Sequence, residues 1–452
     1  SWGCDDDSSP AADDAAAGDA DAHAEDADAD AHAEDADADE GGATGTLNVL
    51  VLGPPVWPDY QWNPVEDALV AFDLPGGGRS ETTTDAAGRA TFDRFDWAAG
   101  AGAVTAGKNG LGLASEVGLD GTQGDVTLVL PDPDPRAGRV ELTVSAVNMT
   151  DVSHPWEVMA VGVDQVYASG GGAFDLVIDV PPGTPLTLHA GEWEGWTLTA
   201  DGLDNVIYSW VAQEVAPISG PATAEIDFAA PALPSTTVSG SFPLPADPDS
   251  PLRQRDAYVV VWTMIGPNPG RHFLPVATTG LGGPTHIGRS VDGDSVEYTV
   301  QYVTPPGAVG PVTRYTMETL GSSGGAPYSC VDVAGYPASG AQTFTHLEVP
   351  TVHAPTTVHA LHDPVEWDLF DGGVTPTLHI RTTRVAVCDT DVWRVSAPTD
   401  ATSLVVPQPP AGFDTVALLG TDLIRGRIGI LADDPGDLQA NYAESGCFLV
   451  QP

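Results

Sequence analysis

Five histidines, His346, His353, His359, His362 and His379, stand in the last quarter of the chain, with Glu348, Asp363 and Glu366 among them. Imidazole and carboxylate in one neighbourhood are the raw material of a zinc site or of general acid–base chemistry. The densest stretch, His359-Ala360-Leu361-His362-Asp363, does not favour a shared ion, because strand residues three apart point to opposite faces. His353 and His359 share a face, but Pro355 lies between them. The spacing predicts surface or satisfied sandwich histidines and no metal site. A second candidate, Gly321-Ser322-Ser323-Gly324-Gly325, satisfies the G-x-S-x-G pattern of a nucleophile elbow. That elbow needs a strand before it and a helix after it, and Pro327 opposes the helix. The segment reads as a loop, and no catalytic residue is assigned.

Two acidic turns, Asp292-Gly293-Asp294 and Asp433-Asp434-Pro435-Gly436-Asp437, offer carboxylates to Ca²⁺. Neither completes a loop closed by a bidentate Glu. Ca²⁺ is the one cofactor left open, and otherwise none is expected. Trp57, Tyr60 and Trp62 crowd a Pro-rich loop, where core packing explains aromatics less easily. They are the candidate ligand-contact residues, able to stack on a sugar ring, and Trp193 with Trp196 forms a second such group. Trp156, Trp210, Trp262, Trp367 and Trp393 sit within apolar runs and are expected in cores.

The elements that must position these residues read as strands. From Gly45 onward, short apolar runs alternate with Gly, Pro, Asp and Ser clusters, as in Leu47–Leu52, Ala68–Leu74, Val126–Leu130, Phe174–Val180 and Val296–Val303. In Val140–Val147 the alternation is strict, with Val140, Leu142 and Val144 on one face and Glu141 and Thr143 on the other. No segment carries a sustained apolar stripe of helical period. The expected class is all-β: tandem antiparallel β-sandwich domains, Ig-like or transthyretin-like, behind a disordered acidic tail. Pro-rich breaks at 131–135, 231–234 and 350–355 divide the chain into a tether (1–43) and sandwiches at 44–133, 134–234, 235–355 and 356–452. The last two sandwiches are the pair expected to share a core if any do.

Charge bounds the partners. The chain of 452 residues carries 64 Asp+Glu against 16 Lys+Arg, a formal net charge of -48. Such a surface repels phosphate backbones and anionic lipid head groups, so nucleic acid is excluded as a partner. Residues 1–42 hold 16 of the acids and no Lys or Arg, which leaves -32 for the body. Within them the unit ADAHAEDAD spans 20–28 and repeats at 29–37. With only Ala methyls to bury, this stretch is expected to be a disordered, self-repelling linker. Its reach is on the order of 35 Å from flexible-chain scaling.

Ser1-Trp2-Gly3-Cys4, followed by Asp5-Asp6-Asp7, resembles the end of a bacterial lipoprotein signal. The acidic low-complexity stretch behind it resembles the tethers of myxobacterial lipoproteins. The resemblance implies a diacylated Cys4 and a protein held in the cell envelope, at the outer membrane or cell surface, through a lipid anchor alone. A free secreted form is the alternative. An envelope location permits disulfides. Of Cys330, Cys388 and Cys447, the expected pair is Cys388–Cys447, which would pin the C-terminal strand and contribute roughly 4–5 kcal/mol on the chain-entropy model. Cys330 is then the odd thiol, or replaces Cys388.

Within residues 45–131 stand Gly45–Val51, Pro64-Val65-Glu66-Asp67-Ala68-Leu69-Val70, Thr83-Thr84-Asp85-Ala86-Ala87-Gly88-Arg89-Ala90-Thr91-Phe92, Lys108-Asn109-Gly110 and Val126–Leu130. In these elements the stretch resembles the carboxypeptidase regulatory-like domain, a transthyretin-like sandwich. Asp85 is expected to close an Asx-type turn, with positive φ at Gly88. A hairpin return strand would follow, with Ala90 and Phe92 inward. Modules of this family are accessory and carry no catalytic residue. The sequence thus points to a non-enzymatic cell-envelope lipoprotein that displays sandwich modules for binding, adhesion or scaffolding, with a surface protein or polysaccharide as ligand. The alternative is the accessory of a secreted hydrolase, or a carbohydrate-binding protein.

Overall fold

In a computed structural model, residues 45–451 are described apart from 57–60, 134–137, 162–165, 172–173, 194–197, 200–201, 230–233, 246–249, 255, 266–272, 280–293, 305–307, 319–327, 355–357, 383–389, 420–423, 433–439 and 445–447. The acidic N-terminal segment with Cys4, Trp57, Tyr60, Trp196, Ser322, Ser323, Cys388 and Cys447 lie outside the described residues.

Strands dominate, as the alternation predicts. Helical turns among the described residues are confined to Trp97–Ala99, Pro251–Gln254 and Thr415–Leu419. In Val140–Val147, Leu142 and Val144 are fully buried while Glu141 is exposed. The entry to Arg89–Phe95 is built by Asp85. Its Oδ1 accepts from the backbone N–H of Ala87 and of Arg89, both at 2.9 Å, and Gly88 adopts φ 71°. A Cβ on Gly88 would stand 2.6 Å from the Val51 carbonyl oxygen, so glycine is required for close approach as well as for φ. Ala90 and Phe92 point inward as expected. The hairpin does not form. Arg79–Thr83 pairs with Leu69–Asp73, whereas Arg89–Phe95 crosses to the opposite sheet and pairs with Gly45–Val56. The hydrogen bond from Val51 N–H to Gly88 O (2.8 Å) draws the turn across the sandwich.

Four sandwiches are threaded on one continuous sheet of 19 strands. Each is completed by its own small second sheet, one of four strands and three of three. Buried clusters span Leu47–Leu130, Leu142–Phe228, Phe242–Val349 and Leu361–Ile428, and these are called the first to fourth modules. Leu347 of the third module packs with Val374 and Ile430 of the fourth in a small cluster of its own.

Neighbouring modules are joined by strand pairing. Gly202–Val215 of the second pairs with Phe273–Thr279 of the third, and Tyr328–Ala334 of the third pairs with Ala440–Glu444 of the fourth. Thr390–Ser396 of the fourth then pairs in parallel with Leu113–Leu119 of the first. The order along the sheet is second, third, fourth, first, although the chain is made in the order first to fourth. A junction strand serves two cores because its side chains alternate faces. Leu113 therefore belongs to the fourth module's core, and its neighbour Ala114 to the first's.

In the first three modules the first and last strands are parallel neighbours: Gly45–Val56 with Val126–Val129, Val140–Val147 with Ala222–Asp227, and Ser235–Pro243 with Gly340–Ala341. In the fourth, Thr351–Ala354 comes first and it is the next strand, Val358–Ala360, that runs parallel to the last, Phe448–Gln451.

Candidate functional site

The polar chemistry of the described residues gathers around two buried carboxylates, each oriented by a histidine. In the fourth module, Thr390–Ser396 turns Val392, Trp393 and Val395 into the core. A register shift between Ile380 and Arg381 on the neighbouring strand sets Arg381 opposite Asp391 on the other face. Asp391 Oδ1 accepts from Arg381 Nε at 2.6 Å, and Oδ2 accepts from Arg394 Nε at 2.7 Å. His379 Nδ1 lies 2.9 Å from Oδ2. The Asp391 side chain is 9% exposed. Burial works to raise its pKa, but His379, Arg394 and Arg381 together outweigh burial and hold the carboxyl well below the usual carboxylate range.

His379 stands opposite Arg394 on one side and Arg427 on the other, and Arg381 stands opposite Arg425. Four of the chain's 16 Lys and Arg residues thus stand at register positions on three adjacent strands. With Asp391 ionised, His379 Nδ1 is the donor of their hydrogen bond. This is the base-and-orienter half of a nucleophilic triad. Among the described residues no hydroxyl or thiol is hydrogen-bonded to the His379 ring, so its present work is to hold charge and register.

The second carboxylate belongs to the second module. Glu192 is fully buried. Its Oε1 accepts from the backbone N–H of Thr150 (2.8 Å) and Asp151 (3.2 Å), and lies 2.9 Å from His154 Nδ1. These contacts pin the loop between two strands onto the end of the sandwich. Trp156, Glu192 and Ser209 are cross-strand neighbours on one rung. The Trp156 indole N–H, Glu192 Oε2 and the Ser209 hydroxyl have no hydrogen-bond partner among the described residues. One donor, one acceptor and one hydroxyl match the needs of a water molecule; a cation would face the indole proton.

The crowded histidines are dispersed. His346 is buried between Phe242 and Phe344, with Nδ1 3.4 Å from the Ser329 hydroxyl, and burial lowers its pKa from 6.5 to about 3. His353 pairs at the surface with Asp368 (2.6 Å), and His362 Nδ1 lies 2.9 Å from the Val406 carbonyl. His359 lies in the strand Val358–Ala360, its side chain outside the described residues. Among the described residues no group of three His, Cys, Asp or Glu side chains is placed to hold a metal. Asp294 receives Arg253 (3.2 Å) and so meets a cation of this chain; Asp292, Asp433, Asp434 and Asp437 lie outside the described residues. Of the candidate aromatics Trp62 alone is described, half-buried in Gln61–Pro64. Trp156, Trp210, Trp367 and Trp393 are core residues, Cys330 is buried in Tyr328–Ala334, and the Trp193 and Trp262 side chains are outside the described residues.

Glu192 and Asp391 escape sequence reasoning because each is placed by register. The available signal was a charged residue inside an otherwise apolar run, as Glu192 is in LTLHAGEW.

No protein-family model and no curated protein matches the chain. Among solved structures, a candidate adhesin of Bacteroides ovatus is 6% identical, covering 46% of this chain and 90% of its own, at TM-score 0.16. The Bacillus anthracis TIE protein is 10% identical over 66% of this chain and 49% of its own, at TM-score 0.17. A streptococcal ancillary pilin is 9% identical over 66% and 98%, at TM-score 0.15. At these scores the likeness carries no argument about function. No helix among the described residues is long and apolar enough to cross a membrane. By its own sheets, the chain is an all-β protein of tandem antiparallel sandwich modules.

Proposed function

We propose that this protein is a non-enzymatic cell-envelope lipoprotein that displays β-sandwich modules at the bacterial surface for binding, adhesion or scaffolding. Cys4 would carry the acyl anchor, and the acidic segment behind it would hold the modules off the membrane. The observation that carries the reading is the continuous sheet: strand pairing fuses four sandwiches into one particle. That geometry suits presentation of surfaces, the first module serving as an accessory sandwich of the carboxypeptidase regulatory-like kind. The segment leading from Cys4 enters this particle at a firm point. Gly45 is packed against Trp97, where a Cβ would stand 2.9 Å from the indole ring.

The test is metabolic labelling of the full gene product with a clickable fatty acid, in parallel with Cys4→Ser. Label on the parent and its loss in the variant are expected, together with release of the variant from the membrane fraction. An unlabelled parent removes the anchor.

A further inference from the structure

The two terminal modules are separated by the whole middle of the chain and yet are neighbours in the sheet. Leu113, Ala114, Ser115 and Glu116 pair in parallel with Trp393, Arg394, Val395 and Ser396. The fully buried Trp393 donates its indole N–H to Ser115 Oγ at 2.9 Å. Around this pairing, Arg79 donates to the Gln408 and Pro409 carbonyls at 3.0 and 2.7 Å, and Glu81 accepts from the Ala411 N–H at 3.1 Å. Asn109 accepts from the Asp414 N–H at 3.2 Å. Two glycines allow the closest approach: a Cβ on Gly112 would meet the Val392 carbonyl at 2.5 Å, and one on Gly118 would meet Pro398 at 2.2 Å.

We propose that this junction is a mechanical clasp: under tension applied between the two ends of the chain it carries the load and holds the second and third modules out of the load path until it parts. Tension at the N-terminus enters the first module along Gly45–Val56, and tension at the C-terminus enters the fourth along Phe448–Gln451. Two routes connect them: the covalent one through both middle modules, and the junction. The junction ties the loaded modules directly, so the covalent route stays slack while it holds.

Once the junction parts, each of the first three modules is pulled between its first and last strands. As these are parallel neighbours, pulling slides one strand along the other, and every rung is loaded together instead of being peeled in turn. Four rungs join these strands in the first module, six in the second and two in the third. The proposal rests on the display reading for the source of the load; the measurement below does not depend on an anchor.

The full chain is held by handles at its N- and C-termini and stretched in optical tweezers. The expected record is an initial step that lengthens the molecule while every module stays folded. Module unfolding follows, each step releasing about 3.3–3.6 Å per residue. A staple of Glu116→Cys with Ser396→Cys, on one rung of the junction, tests the path, because neighbouring strands stand within disulfide reach. In the oxidised stapled chain the initial step and the unfolding of both middle modules should vanish, and reduction should restore them. Ser115→Ala, which needs no staple, should lower the force of the initial step and leave the steps of the second and third modules unchanged; the first module also loses the Thr105–Ser115 hydroxyl contact (2.8 Å). A parent with no step before module unfolding, an initial step that persists in the oxidised stapled chain, or an initial force unaltered by Ser115→Ala would each overturn the proposal.

Discussion

Acid should act on two side chains in sequence. His346 is buried, and its pKa falls from 6.5 to about 3 on folding. The folded state therefore binds fewer protons than the unfolded one between these values. Its contribution is complete above pH 6.5 and is lost as pH falls toward 3, at up to about 1.4 kcal/mol per pH unit. Asp391 adds a lower limb. Its carboxyl is held well below the usual range, so its contribution is complete above roughly pH 4 and lost below it. Urea unfolding at a series of pH values should show both limbs, and His346→Leu should flatten only the upper one. An unchanged slope between pH 6.5 and 4 in that variant would refute the assignment. Residue-scale chemistry was legible in sequence only where it is local. The turn at Asp85 could be read, since its partners lie two and four residues away. The site at Asp391 could not, since His379 and Arg381 reach it across a strand pair with a shifted register.

At the scale of elements, the alternation of apolar residues and the turn chemistry identify strands because both are short-range properties. Strand partners are not short-range, which is why the Asp85 turn was expected to close a hairpin and instead carries the chain between sheets. The glycine there is the sharpest test of that crossing. Gly88→Ala must accept φ 71° and a Cβ 2.6 Å from the Val51 carbonyl. The expected loss in urea unfolding of the first module is about 1–3 kcal/mol, the scale of a strained non-glycine backbone. A neutral result would mean that the turn does not press on Val51. The same reasoning explains the junctions: nothing in the period-two pattern of Leu113–Leu119 announces that one face will be buried in a module more than 200 residues away.

For the whole molecule, charge and architecture pull against each other. A net charge of -32 on the fused sandwiches is self-repulsive, and the modules are held together by edge pairing and buried side chains. Raising ionic strength from 0.01 to 0.15 M shortens the screening length from about 30 to about 8 Å. Thermal stability should rise over that interval, and a falling midpoint in a differential scan would contradict the charge argument. The order of modules along the sheet also bears on how the protein is made. Ser115 and Trp393 are 278 residues apart, so at ribosomal speeds of roughly 5–20 residues per second the first module waits about 15–60 s for its neighbour. During that interval Leu113–Leu119 is an open sheet edge with Leu113 uncovered, the kind of surface on which nascent chains pair wrongly with one another. The first module is therefore made with one unguarded strand, and the faster the rest of the chain follows, the shorter the interval in which that strand can pair wrongly.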